Sequence, residues 1–203
     1  MSLRYVALGD SYTIGTAVAS TECWPVKLVQ ALHGLVGMTA SLDLIANLGV
    51  NGYTSADLVR DELPALQALR PEFASLLIGV NDVVQGISAG AYEANLRAIL
   101  EALLARLAVN RIVTVAIPDY TVTPQGGSFG DPGQQSREIA AFNTIMERHS
   151  AQRGIRYVDT FDLSQRAAGD RSLVAADGLH PSGAQYGLWV ERIAPVAADL
   201  LAG

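Results

Sequence analysis

Arg111-Ile112-Val113-Thr114-Val115-Ala116-Ile117 decides the fold. Its apolar run is rich in β-branched residues and shows no polar alternation, as in a strand covered on both faces. Four similar runs lie elsewhere: Tyr5-Val6-Ala7-Leu8, Leu42 to Leu48, Phe73 to Ile78, and Ile155-Arg156-Tyr157-Val158. Longer helical patterns separate them. Pro25 suits a first helical turn, and Val26, Leu28, Val29, Leu32 and Leu35 follow at helical spacing. Thr54 and Asp57 have capping-box spacing before Leu58, and Pro64 kinks or splits the helix they start. Tyr92 to Leu107, Ile139 to Arg153 with Gly154 as its stop, and Ser182 to Leu201 with a kink at Pro195 are the remaining helices. Strand and helix therefore alternate along the whole chain. That order predicts an α/β fold with five parallel strands and helices on both faces.

Bulk composition narrows the function classes. The chain has 203 residues, enough for one domain with a sizeable core, and residues 1–203 show no linker or repeat. Half the residues are hydrophobic and only 17% are charged, which excludes a disordered chain. The net charge of -6 repels phosphate backbones, so no nucleic acid partner is expected. Cys23 is the only cysteine; it permits neither an internal disulfide nor a cysteine zinc cluster, and reads as a buried apolar residue. No segment is long and apolar enough to span a membrane, so no stable insertion is expected. No signal-peptide pattern opens the chain, which predicts a cytoplasmic location. Nothing in the sequence specifies an oligomer.

In open parallel sheets, ligands bind beyond the carboxyl ends of the strands. After the first strand comes Gly9-Asp10-Ser11-Tyr12. After the second comes Asn47-Leu48-Gly49-Val50-Asn51-Gly52. After the third comes Gly79-Val80-Asn81-Asp82, and beyond the fifth a longer loop ends in Asp177-Gly178-Leu179-His180-Pro181. These turns bring a hydroxyl, bare backbone amides, a carboxamide and an Asp/His pair to one edge, the groups that acyl transfer needs. A serine hydroxyl attacks only when a base takes its proton. His33 and His149 fall inside predicted helices, which leaves His180 as the base for Ser11. Asp177, three residues earlier, is placed to bond the imidazole and fix its tautomer. The Ser11 amide, the Gly52 amide and the Asn81 side chain could hold the developing oxyanion.

The same blocks carry a resemblance. Gly9-Asp10-Ser11-Tyr12 resembles the block that names the GDSL, or SGNH, hydrolases. Gly52 resembles the oxyanion glycine of the second block, with Gly49 a competitor. Asn81 matches the third, and Asp177-Gly178-Leu179-His180-Pro181 resembles the fifth, which carries the other two triad members. All four stand in family order from Gly9 to Pro181. The resemblance implies a three-layer α/β/α sandwich of flavodoxin-like type. It also implies a cofactor-independent serine esterase acting on small-molecule acyl esters of short to medium chain length. Lysophospholipases, thioesterases and carbohydrate deacetylases belong to the same family.

Plainer readings stand beside each of these. Gly9-Asp10-Ser11 is also an ordinary strand-to-helix turn, Asn81 also suits a helix cap, and His180 could cap the last helix. Asp10 reads as a turn residue. Asp82, Asp119 and Asp159 follow strands and raise a metal phosphoesterase as a rival, yet no metal-ligand spacing supports one, so no metal is expected. A ligand-binding protein that keeps the fold is a second rival, and it would be signalled by a missing triad residue. Neither a phosphate loop nor a dinucleotide fingerprint is present, nor Gly-x-Ser-x-Gly. The stretch Asp119 to Gln135 holds Pro124, Gly126, Gly127, Gly130, Pro132 and Gly133 and reads as a long loop at the same edge, with a hinge at Gly126-Gly127. Tyr120, Val122 and Phe129 within it are candidate walls of an acyl pocket.

Overall fold

The computed structural model describes residues 2–33 and 41–202. Strands β1 (Ser2–Gly9), β2 (Ser41–Asn47), β3 (Phe73–Leu77), β4 (Ile112–Val115) and β5 (Arg156–Val158) form one sheet. Its order is β2-β1-β3-β4-β5, and every pairing is parallel. All residues of β3 and β4 are buried, as unbroken apolar runs require. β2 lies at an edge and is mostly half-buried, which is why Ser41 and Asp43 are tolerated there.

The helices are α1 (Ser11–Ile14), α2 (Trp24–His33), α3 (Ser55–Asp57), α4 (Leu63–Leu69), α5 (Val80–Val84), α6 (Ala89–Leu104), α7 (Pro132–Gln152), α8 (Phe161–Gln165) and α9 (Gly183–Ala202). α2 packs on α9 in one layer, and α6 packs on α3 and α7 in the other. With the sheet between them these make the expected α/β/α sandwich. From β1 the chain steps out to β2, then returns to β3 on the opposite side of β1. That reversal opens a crevice at the carboxyl ends of β1 and β3, where open α/β sheets bind ligands. Gly9-Asp10-Ser11 and Gly79-Val80-Asn81 are therefore set side by side.

Several element boundaries differ from expectation. α7 begins at Pro132, seven residues before the predicted Ile139. Asp131 caps it, its side chain accepting from Gln134 N at 2.6 Å, and Pro132 occupies the first turn. The Pro-Gly pair read as loop was a helix start. The rest of the stretch from Asp119 is ordered: two short 3-10 turns, Tyr120–Val122 and Gly126–Phe129, replace the irregular loop. Gly126 is buried against the Tyr120 and Thr121 carbonyls, and a Cβ there would approach within 2.6 Å of both, so it serves close packing and no hinge. Thr54 and Asp57 form the predicted capping box. Between α3 and α4 the chain makes a wider π-helical turn, Leu58–Glu62, which absorbs the break that Pro64 imposes. α9 continues through Pro195, where Glu191 and Pro195 are both exposed and water can take the lost bond. Leu35, the last position of the predicted α2 stripe, lies outside the described residues.

Candidate active site

Gly9 ends β1 with φ 154°, and a Cβ on it would stand 2.2 Å from the Leu77 carbonyl oxygen and 2.3 Å from Thr13 Oγ1. Only glycine lets β1 turn this tightly beside β3. Asp10 follows, fully buried, and its Oδ1 accepts from Tyr12 N at 3.0 Å, capping α1. Asp10 is thus the turn residue it was read as. The turn delivers Ser11 to the first position of α1, 6% exposed.

His180 arrives from the opposite side. Its Nδ1 lies 2.6 Å from Asp177 Oδ2, while Asp177 Oδ1 accepts the N–H groups of Leu179 and His180 at 3.0 Å each. A carboxylate acceptor at Nδ1 places the ring hydrogen there and leaves Nε2 as the basic nitrogen of the neutral ring. Burial pushes the Asp177 carboxyl up, but the bonds from the His180 ring and the two amides outweigh it and hold the group below the usual aspartate range. The Tyr12 ring sits 5.2 Å from the imidazole and backs it. His180 does not cap α9: its ring bonds Asp177 instead.

Ser11 and His180 line one cavity of about 50 Å³, together with Tyr12, Val80, Asn81, Val84, Tyr120, Phe129 and Leu179. Among the described residues no hydrogen bond joins the Ser11 hydroxyl to the imidazole, which is common where such a contact tightens only around substrate. Tyr120 and Phe129 meet edge to face, 5.8 Å apart, in the cavity wall. Val122 does not line it. It sits two residues from Tyr120 in a 3-10 turn, where only every third side chain shares a face.

Asn81 is the second residue of α5, behind Gly79, and so is not a cap. Its Nδ2 donates one hydrogen to the Tyr53 carbonyl at 2.9 Å, leaving the other free for a second acceptor. That bond ties Asn81 to the turn carrying Gly52, whose φ is 82° and around which a Cβ would meet nothing within 4 Å. Gly52 sits beside the cavity and not in its wall. Gly49, its competitor, is wedged on α1: a Cβ there would come within 2.7 Å of Asp10 O and Ile14 N, which marks it as a packing residue. Among the described residues the N–H groups of Ser11 and Gly52 meet no acceptor.

Asp82 clamps the two loops. It is fully buried and accepts from Ser55 N at 2.8 Å and from Ser55 Oγ, which in turn accepts from Asn95 Nδ2 at 3.0 Å. Sequence reasoning had Asp82 as a turn residue beside Asn81 and as a metal candidate, and this clamp was not foreseen. Asp119 is spent on Thr121, Ser136 and Gln165, and Asp159 on Phe161 N. Among the described residues no three His, Cys, Asp or Glu side chains gather as metal ligands. His149 lies inside α7, paired with Glu93 at 2.6 Å, and His33 ends α2. No helix among the described residues is long and apolar enough to cross a membrane. Val80, Val84 and Leu179 of the cavity wall went unpredicted, although each adjoins a motif residue by one to three positions.

The model of the GDSL-like lipase/acylhydrolase family matches residues 7–188. No curated protein matches the chain. Among solved structures, TesA is 22% identical, with 97% of this chain and 99% of that chain covered and a TM-score of 0.74. The psychrotrophic esterase EstA of Pseudoalteromonas sp., in a structure inhibited by monoethylphosphonate, is 19% identical over 98% and 99%, TM-score 0.71. Axe2, an acetylxylan esterase of Geobacillus stearothermophilus, is 17% identical over 99% and 94%, TM-score 0.70. At these identities the likeness is one of fold.

Proposed function

Because the chain belongs to the GDSL-like lipase/acylhydrolase family and is accordingly an ester-hydrolysing enzyme, we propose that it cleaves carboxylic esters of short acyl chains with Ser11 as nucleophile, His180 as base and Asp177 orienting the imidazole. One observation carries this reading: His180, bonded to Asp177 behind it, shares a cavity with a serine held at a glycine turn. Ser11 Oγ attacks the ester carbonyl carbon while His180 Nε2 takes the hydroxyl proton. The tetrahedral intermediate collapses, the C–O bond to the alcohol breaks, and the imidazolium returns that proton to the departing oxygen. Water, activated by the same nitrogen, then releases the acid from Ser11. Asp177 stabilises the imidazolium in both halves, which suits a carboxyl held ionised well into the acid range.

The N–H groups of Ser11 and Gly52 and the free hydrogen of Asn81 Nδ2 are the donors for the oxyanion. Donors already unpaired and held by backbone or by a bond to Tyr53 cost little to reorganise, and losing one typically costs about a hundred- to a thousandfold in rate. The cavity supports the acyl assignment. The cavity is small, about 50 Å³, and Tyr120 and Phe129 stand together in its wall, which favours a short acyl group. EstA is described as an esterase inhibited by monoethylphosphonate and Axe2 as an acetylxylan esterase, which makes a phosphonate probe and an acetyl ester the natural reagents. Purified protein should hydrolyse p-nitrophenyl acetate, and a p-nitrophenyl phosphonate should label Ser11 alone. Ser11→Ala should lose more than about a thousandfold in kcat while its circular dichroism is unchanged. Wild-type turnover in that variant, or labelling of another serine, refutes the assignment.

A further inference from the structure

Two buried acids lie under the Gly9-Asp10-Ser11 turn, and the proposed mechanism uses neither. Asp10 is fully buried, with Oδ2 unpartnered, and Glu62 is 3% exposed, with Oε1 unpartnered. Glu62 closes the π-helical turn Leu58–Glu62, 53 residues away in sequence, and its Oε2 accepts Gly9 N–H at 3.0 Å. The reason lies in the sheet. The pairing of β1 with β2 ends at Ala7↔Asn47, after which β2 peels away and Leu48 N reaches only the Ala7 carbonyl. Gly9 N–H is left without a ladder acceptor at the strand end that presents Ser11, and the Glu62 carboxyl fills that place. The Gly9 carbonyl accepts from Val50 N at 3.4 Å, so the same residue also anchors the loop that leads to Gly52.

Burying a carboxyl without a cation destabilises a fold. No salt bridge reaches Glu62 or Asp10 among the described residues, and the charged groups that act on Glu62 are Asp10 and Asp61, both acidic. An apolar residue at position 62 would pack at lower cost but would orphan a buried amide. π turns concentrate at functional sites, and so do buried acids with displaced titration. We propose that Glu62 is a positioning residue for Ser11, holding the Gly9 peptide and through it the orientation of the Ser11 hydroxyl and amide. Glu62 does this as a neutral acid. Burial pushes its carboxyl up to about 9, against the pull of the Gly9 bond, and the nearby Asp10 adds to the rise.

The role rests on the assignment of Ser11 as nucleophile, and its test separates the two. The rate constant for phosphonylation of Ser11 is measured beside kcat and KM on p-nitrophenyl acetate, for wild type, Glu62→Gln, Glu62→Leu and Glu62→Asp. Glu62→Gln keeps an oxygen acceptor for Gly9 N–H and should stay within about threefold of wild type in all three quantities. Glu62→Leu removes the acceptor. It should lose tenfold or more in both kcat and the phosphonylation rate, with KM within twofold. Glu62→Asp withdraws the carboxyl by one methylene and should fall in the same direction, which keeps the test open if the leucine variant does not fold. Because phosphonylation is scored per folded molecule, a residue that merely stabilised the fold would leave it unchanged. Equal rates for wild type and Glu62→Asp, or losses in Glu62→Gln as large as in Glu62→Leu, overturn the positioning role. Failure of wild type itself to label at Ser11 overturns the nucleophile assignment instead.

Discussion

Phe129→Ala turns the shape of the cavity into a rate ratio. Phe129 is 39% exposed and closes the wall edge-on against Tyr120. Losing that contact costs about 0.5–1.5 kcal/mol, small beside a typical stability of about 5–15 kcal/mol, so the variant stays folded. On the proposed reading the small cavity takes an acetyl group, and the two further methylenes of a butyryl group would run against the Phe129 ring in its wall. Removing the ring lets both methylenes leave water. At about 0.8 kcal/mol per methylene the gain is about 1.6 kcal/mol, a factor of about 15 in kcat/KM for butyrate over acetate. Initial rates on p-nitrophenyl acetate and butyrate give that ratio directly, since the alcohol and its leaving ability are the same in both. The acetate value itself should change less than about threefold. An unchanged ratio, a ratio that falls, or an acetate value that drops in parallel would show that Phe129 does not bound the acyl group.

Gly9→Ala forces a Cβ to within 2.2 Å of the Leu77 carbonyl at a φ of 154°. Strain of about 1–3 kcal/mol and overpacking of about 1–3 kcal/mol should together lower the urea midpoint visibly, and an unchanged midpoint would contradict the close approach. Asp177→Asn should cut kcat less than His180→Ala does, with both proteins folded, because the asparagine still contacts the ring while the base survives. The hydrogen bonds that lower the Asp177 carboxyl stabilise the fold above the unfolded aspartate value of about 3.9. That increment disappears as pH falls through the lower native value. The urea midpoint of the wild type should therefore fall more steeply from pH 6 to pH 3 than that of Asp177→Asn, and parallel curves would refute the pairing.

Much of the candidate site was legible because its residues sit in short local motifs. Gly9-Asp10-Ser11 and Asp177 to His180 each build their geometry within four residues, so composition and spacing reveal it. Element cores were legible for the same reason: an unbroken apolar run such as Ile112 to Val115 has one comfortable environment, the middle of a sandwich. The start of α7 was misread because Pro132-Gly133 signals loop and helix entry equally, and the Asp131 cap resolves it only once its bond to Gln134 N is seen. Val122 was misplaced because facing in a 3-10 turn depends on a turn type the sequence did not disclose.

Local chemistry alone thus determined the strand–helix alternation, the Gly9-Asp10-Ser11 turn, and the Asp177/His180 pair. Tertiary structure decided everything that joins distant segments. The strand order set Ser11 beside Asn81 across the β1–β3 crevice, Asn81 reached 28 residues back to Tyr53, and Glu62 reached 53 residues back to Gly9. Such partners leave no periodic trace in a sequence. A buried polar atom needs some acceptor, but which one it finds is set by where the packed helices bring it.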